Sequence, residues 1–157
     1  VRDLPRDLLS DAPAMPLAPA ADQLLIDELP EAVAGSVLCM SLGRGQLAAA
    51  ARLRFKNAAV DCPFIDLYHA RTTSAFVAAM PSPPRILCAA DLPEGPYARA
   101  ALPIDRKGQA ELARDLLQQA RERLCEGGLL LAAVARADDQ WLHREMKRLF
   151  ARVRRMA

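Results

Sequence analysis

Ser36-Val37-Leu38-Cys39-Met40-Ser41-Leu42-Gly43-Arg44-Gly45-Gln46-Leu47-Ala48 is a short apolar run that passes through a glycine turn into an alanine-rich segment. An apolar run without alternation marks a strand buried on both faces, and the alanines beyond the turn mark a helix lying close against it. Glycines at such a junction let the backbone approach a ligand and reach dihedral angles denied to other residues. Several readings of the turn stay open at this point. Gly43-x-Gly45-x-x-Ala48 satisfies a dinucleotide fingerprint, in which a pyrophosphate sits on the helix N-terminus. A nucleoside cofactor without a pyrophosphate fits the same loop, and so does a tight strand-to-helix turn with no ligand.

Outward from this stretch, short apolar runs alternate with longer helical ones. The runs predict strands over 37–40, 59–65, 85–89, 98–102 and 129–134, and the spacing predicts helices over 22–29, 46–55, 69–80, 108–125 and 138–155. The fourth of these helices carries Ala113, Leu116, Leu117, Ala120 and Leu124 as a stripe, and Gly127-Gly128 is expected to end it with a left-handed cap. Such alternation predicts an α/β fold: a doubly wound, Rossmann-like parallel sheet of order 3-2-1-4-5 with helices on both faces. Residues 1–21, with Pro5, Pro13, Pro16 and Pro19, read as an irregular proline-rich arm, and 22–157 as the domain itself.

Composition bounds the function classes. A chain of 157 residues with 52% hydrophobic content fits one domain with a sizeable core. No stretch approaches the roughly 20 apolar residues a membrane helix needs, and no leader segment opens the chain, so no membrane partner is expected. The four cysteines, Cys39, Cys62, Cys88 and Cys125, lack C-x-x-C spacing. They read as reduced thiols of a cytoplasmic protein rather than metal ligands, for which only His69 and His143 could add imidazole. The net charge is only +2, yet acidic residues crowd the start while Arg144, Lys147, Arg148, Arg152, Arg154 and Arg155 crowd the end. A basic helix edge of that kind is either a solvated face or a surface for nucleic acid.

Two carboxylates follow the glycine loop at telling positions. Asp66 ends the second apolar run about 20 residues beyond the loop, where an acidic side chain can accept from ribose hydroxyls. Asp91 follows the third run, where a carboxylate would lie beside an adenine and accept from its exocyclic amine. A strand-end cap at Asp66 and a turn before Pro93 at Asp91 are the alternatives.

With these residues in place, the chain resembles the class I S-adenosylmethionine-dependent methyltransferases. The likeness is to the methyltransferase small domain group that includes ribosomal RNA guanine N-methyltransferases. It rests on Asp22-Gln23-Leu24-Leu25-Ile26, the glycine loop, Asp66, Asp91, Ala101-Leu102-Pro103-Ile104 and Leu124-Cys125-Glu126-Gly127-Gly128-Leu129, and spans roughly 22–150. It implies S-adenosyl-L-methionine as cofactor. Its methionine part would meet Ser41, Leu42, Gly43 and Gly45, its ribose Asp66 with Leu67, and its adenine edge Asp91 with Leu92. RNA is the methyl acceptor that the family likeness and the basic end imply.

The chain departs from the family in three places. Cys39 stands where the first strand usually carries an acid, Ser41 replaces the first glycine, and Ala101, Pro103 and Ile104 fall within the position of the active-site motif N-P-P-[FY]. Alanine has no side-chain acceptor to orient a target amine. Methyl transfer from a sulfonium asks mainly for an in-line approach, so the substitution need not abolish it. Asp105, just beyond, offers a carboxylate or a helix N-cap. The family also adds a sixth and seventh strand. A chain that stops after the last helix is expected to leave the fifth strand as an edge, as in a fragment, a domain whose partner or second copy covers it, or a degenerate relative. An NAD(P)-binding oxidoreductase and a non-catalytic methyltransferase-like scaffold are the competing functional readings.

Overall fold

The structure, a computed structural model, describes residues 14–156 except 106 and 108. Most of the proline-rich arm, 1–13, lies outside the described residues. The elements run α1 (Ala20–Asp27), β1 (Val37–Cys39), α2 (Gln46–Arg54), β2 (Val60–Phe64), α3 (Leu67–Val77), β3 (Arg85–Cys88), β4 (Tyr97–Ile104), α4 (Ala110–Glu122), β5 (Leu124–Val134) and α5 (Trp141–Leu149). All strand pairs are parallel, and the sheet order is β3-β2-β1-β4-β5, a doubly wound Rossmann-like arrangement.

Burial explains the layers. Val37, Leu38 and Cys39 are sealed on both faces, as a central parallel strand must be. On one face Leu25, Leu29, Leu47, Ala48, Ala51, Cys62 and Phe64 form a cluster beneath α1 and α2. The small alanines of α2 let its backbone lie close to the sheet. On the other face Leu38, Leu102, Leu116, Leu117, Leu130 and Trp141 pack beneath α4 and α5. The connection from β3 to β4 is a helix-free segment, 89–96, and Leu92 within it plugs the second cluster.

Several boundaries differ from the sequence expectation, each for a physical reason. The fourth helix ends at Glu122, not at the glycine pair. The Arg123 carbonyl is taken by the Tyr97 N–H, which draws the chain straight into β5. Gly127 does adopt a left-handed φ of 74°, but inside β5, where the register slips between the pairs Tyr97↔Leu124 and Arg99↔Leu129. It forms a strand irregularity rather than a helix cap. The last helix stops at Leu149 because Phe150 turns extended and packs against the second cluster. Arg152, Arg154 and Arg155 therefore leave the helix, and the continuous basic helix edge expected from the sequence does not form. Arg148 is paired with Glu145, and Arg155 donates to the Ala137 carbonyl.

An ion cluster ties the starts of three strands. Arg85 donates two hydrogen bonds to Asp61, at 2.8 Å each, and the Tyr97 hydroxyl donates a third at 2.6 Å. Burial alone would raise the Asp61 carboxyl, but these bonds and the Arg85 charge outweigh it and hold the group below its usual range.

Candidate cofactor site

The order 3-2-1-4-5 reverses direction between β1 and β4, and the crevice outside the carboxyl ends of those strands is where such sheets bind ligands. The glycine loop emerges there. Gly45 caps α2 with a φ of 79°, a left-handed conformation that side chains other than hydrogen strain to adopt. A methyl group on Gly45 would come within 2.5 Å of Thr73 on α3, and one on Gly43 within 2.8 Å of the Pro19 ring. Both glycines are thus required by close approach, from opposite sides of the loop.

Side chains of the chain itself accept from the amides of Leu42, Gly43, Arg44 and Gly45. Asp22 accepts from the Ser41 hydroxyl at 2.7 Å and from the Leu42 N–H at 3.2 Å. Ser41 Oγ in turn accepts from Gly43 at 3.0 Å and Gly45 at 3.1 Å. Gln46 Oε1 accepts from Arg44, and its Nε2 donates to the Pro16 and Leu17 carbonyls, which fastens the end of the arm over the loop. Asp22 is 0% exposed. Its burial lifts the carboxyl above the usual range, with the bonds from Ser41 and Leu42 only partly opposing the shift. Desolvation, with a smaller contribution from Asp22, pushes the Cys39 thiol up to about 12, which leaves it an inert core residue. Among the described residues no group of His, Cys, Asp and Glu has the makings of a metal site.

The β2 end lies alongside. Asp66 is the N-cap of α3, accepting from the His69 N–H at 2.9 Å, with His69 Nδ1 at 3.1 Å from the same oxygen. Both contacts use Oδ1, and the carboxylate is exposed. The His69 backbone bond, more than the His69 charge, holds this carboxyl below its usual range and therefore ionised. Arg44 lies 5.6 Å above the Tyr68 ring and joins the two loops across the crevice. Around them Leu42, Ile65 and Leu67 are each about half exposed, an apolar lining on an edge where polar residues would be expected.

The remaining sequence-predicted residues lie elsewhere. Asp91 Oδ1 accepts from Gln119 on α4, and the Leu92 N–H donates to the same side chain. Leu92 is buried beneath α4, whereas Asp91 is exposed. Ala101, Pro103 and Ile104 are buried within β4, which continues two residues past its expected end. That position is strand interior rather than an open loop. Asp105 follows it, exposed, with Oδ1 accepting from the Lys107 N–H, while the N-cap of α4 is Gln109.

Sequence reasoning took Asp22 only as part of a lead-in and missed its place beneath the loop. The signal was present: Asp22, Leu25 and Leu29 share one helix face at spacings of three and four, and a lone acid on an apolar stripe demands a partner. A cavity of about 550 Å3 opens at the opposite end of the sheet, lined by Arg52, Lys56, Asp61, Arg85 and Tyr97 among others. It touches none of the predicted site residues.

No protein-family profile matches the chain, and neither does any curated protein sequence. Solved structures do. An rRNA methylase from Streptococcus thermophilus aligns over 84% of this chain and 79% of its own, with a TM-score of 0.59 and 16% identity. TrmN from Thermus thermophilus aligns over 82% of this chain and 40% of its own, at a TM-score of 0.60 and 21% identity. An S-adenosylmethionine-dependent methyltransferase from Clostridium acetobutylicum aligns over 64% of this chain at a TM-score of 0.52 and 14% identity, and the chain spans only 42% of its length. At such identities the likeness is one of fold: the chain shares the Rossmann-like parallel sheet of these methyltransferases.

Proposed function

We propose that this domain binds S-adenosyl-L-methionine across the carboxyl ends of β1 and β2 and serves methyl transfer, with RNA as the acceptor class. The observation that carries the cofactor reading is the state of the glycine loop. The amides of Leu42, Gly43, Arg44 and Gly45 already donate to side chains, and Pro19 and Thr73 fill the space against Gly43 and Gly45. A dinucleotide needs such amides for its pyrophosphate. A sulfonium nucleoside has no phosphate to satisfy, and its positive charge suits a loop held over an anionic side chain. That tells against the NAD(P) oxidoreductase.

The residues present fit this cofactor, which when bound supplies an electrophilic methyl group. Asp66 Oδ2 would accept from the ribose hydroxyls, while Leu42, Ile65 and Leu67 would cover apolar parts of the nucleoside. Asp91 and the Leu92 N–H, both bonded to Gln119 on α4, are left out of this arrangement. Asp105, at the carboxyl end of β4, is the exposed carboxylate placed to orient an acceptor. RNA as acceptor, and a cytoplasmic setting, rest on the family resemblance and on neighbours such as the Streptococcus thermophilus rRNA methylase.

Asp66→Asn tests the assignment, because asparagine caps a helix about as well as aspartate yet loses the charge. S-adenosylhomocysteine is expected to bind the variant about tenfold more weakly, with the melting temperature little changed. Equal affinity in both proteins would remove Asp66 from the site.

A further inference from the structure

We propose that Asp22 decides which ligand the glycine loop accepts: acting through Ser41, its buried carboxylate closes the loop to phosphate and shapes it for a phosphate-free nucleoside cofactor. The inference rests on the cofactor reading above and names the residue that enforces it.

The argument begins with hydrogen-bond valence. A serine hydroxyl has one proton to give and two lone pairs to receive. Ser41 uses all three, giving its proton to Asp22 Oδ1 and receiving the N–H groups of Gly43 and Gly45. Only an acceptor at Oδ1 can fix the proton on that side and so aim both lone pairs into the loop. Oδ2 takes the Leu42 N–H, so one carboxylate accounts directly or through Ser41 for three of the four loop amides. An unassisted glycine loop of this shape would present those N–H groups outward as an anion cradle.

Cys39, at the end of β1, is buried beside Asp22, which adds to the upward push that desolvation gives its thiol. Burial disfavours the ionised carboxyl, so retaining it costs folding free energy. A hydrophobic residue would pack there without that cost, yet none could hold Ser41.

Asp22→Asn puts an NH2 group where an acceptor is needed, and Ser41→Ala removes the relay while leaving the carboxylate and the core intact. The first readout needs no ligand: amide hydrogen exchange at Gly43 and Gly45, followed by NMR. Both amides are expected to exchange about tenfold faster or more in either variant, while Leu38 and Leu102 in the core keep their protection. Calorimetric titration then compares S-adenosylhomocysteine with ADP as a phosphate probe. The variants are expected to bind S-adenosylhomocysteine about tenfold more weakly and to gain affinity for ADP, which the parent protein excludes. The double variant is expected to be no worse than the weaker single one, since both break the same relay. Unchanged exchange at Gly43 and Gly45 in both variants overturns the inference, as does ADP binding the parent protein as tightly as the variants. If exchange and ADP behave as expected but S-adenosylhomocysteine does not bind the parent protein, phosphate exclusion by Asp22 stands and the cofactor reading fails.

Discussion

Gly45 and Gly127 both adopt left-handed φ, at 79° and 74°, yet their surroundings differ. A methyl group on Gly127 meets nothing within 4 Å, whereas one on Gly45 runs into Thr73. Gly127→Ala is therefore expected to lower stability by the backbone cost alone, about 1 to 2 kcal/mol. Gly45→Ala adds the clash and is expected to lose about 1 to 3 kcal/mol more. Urea unfolding of the two variants checks the order; equal losses would mean that Thr73 does not constrain the loop. At this scale the glycines were legible in the sequence, because their spacing announces a strand-to-helix turn. Asp22 was legible only as a lone acid on an apolar face, since nothing local in the sequence reveals that a helix nineteen residues upstream of Ser41 folds it under the loop. Asp91 shows the same limit: its place after the third apolar run was legible, but the bond that its Oδ1 accepts from Gln119, distant in sequence, was not.

Strands were easier to read than their ends. Each apolar run became a strand because burial on two faces leaves no other use for it, but ends are set by pairing. β4 runs on to Ile104 because β5 offers partners as far as Val134, and β5 begins early because Tyr97 captures the backbone at Arg123. The helix-ending role expected of Gly127-Gly128 failed for that reason, a long-range hydrogen bond overriding a local signal. The Asp61, Arg85 and Tyr97 cluster belongs to this scale, since it joins β2, β3 and β4. The Asp61 carboxyl is lowered in the fold, so its stabilising contribution is present above its unfolded value of roughly 4 and is lost as pH falls through the lower folded value. Asp61→Asn is accordingly expected to destabilise the protein at pH 7 and to cost less as pH falls through the lowered folded value. Urea midpoints at pH 7 and at lower pH measure this, and a pH-independent difference would assign the loss to packing.

At the scale of the whole molecule, the sheet order was legible from the alternation of runs, because right-handed crossovers leave few ways to wind a parallel sheet. The ligand was less so, for two cofactors share the glycine turn and the choice depends on whether its amides are free. The fold places that turn at the reversal between β1 and β4 and packs Pro19 against Gly43 and Thr73 against Gly45. No described helix is long and apolar enough to cross a membrane. Among the described residues β5 pairs only with β4, so its other side is a sheet edge. The central claim is the identity of the ligand at the switch point, and parallel calorimetric titrations with S-adenosylhomocysteine and NADH test it most directly. Saturable binding of S-adenosylhomocysteine with no heat from NADH is the predicted result; binding of NADH alone would contradict the account.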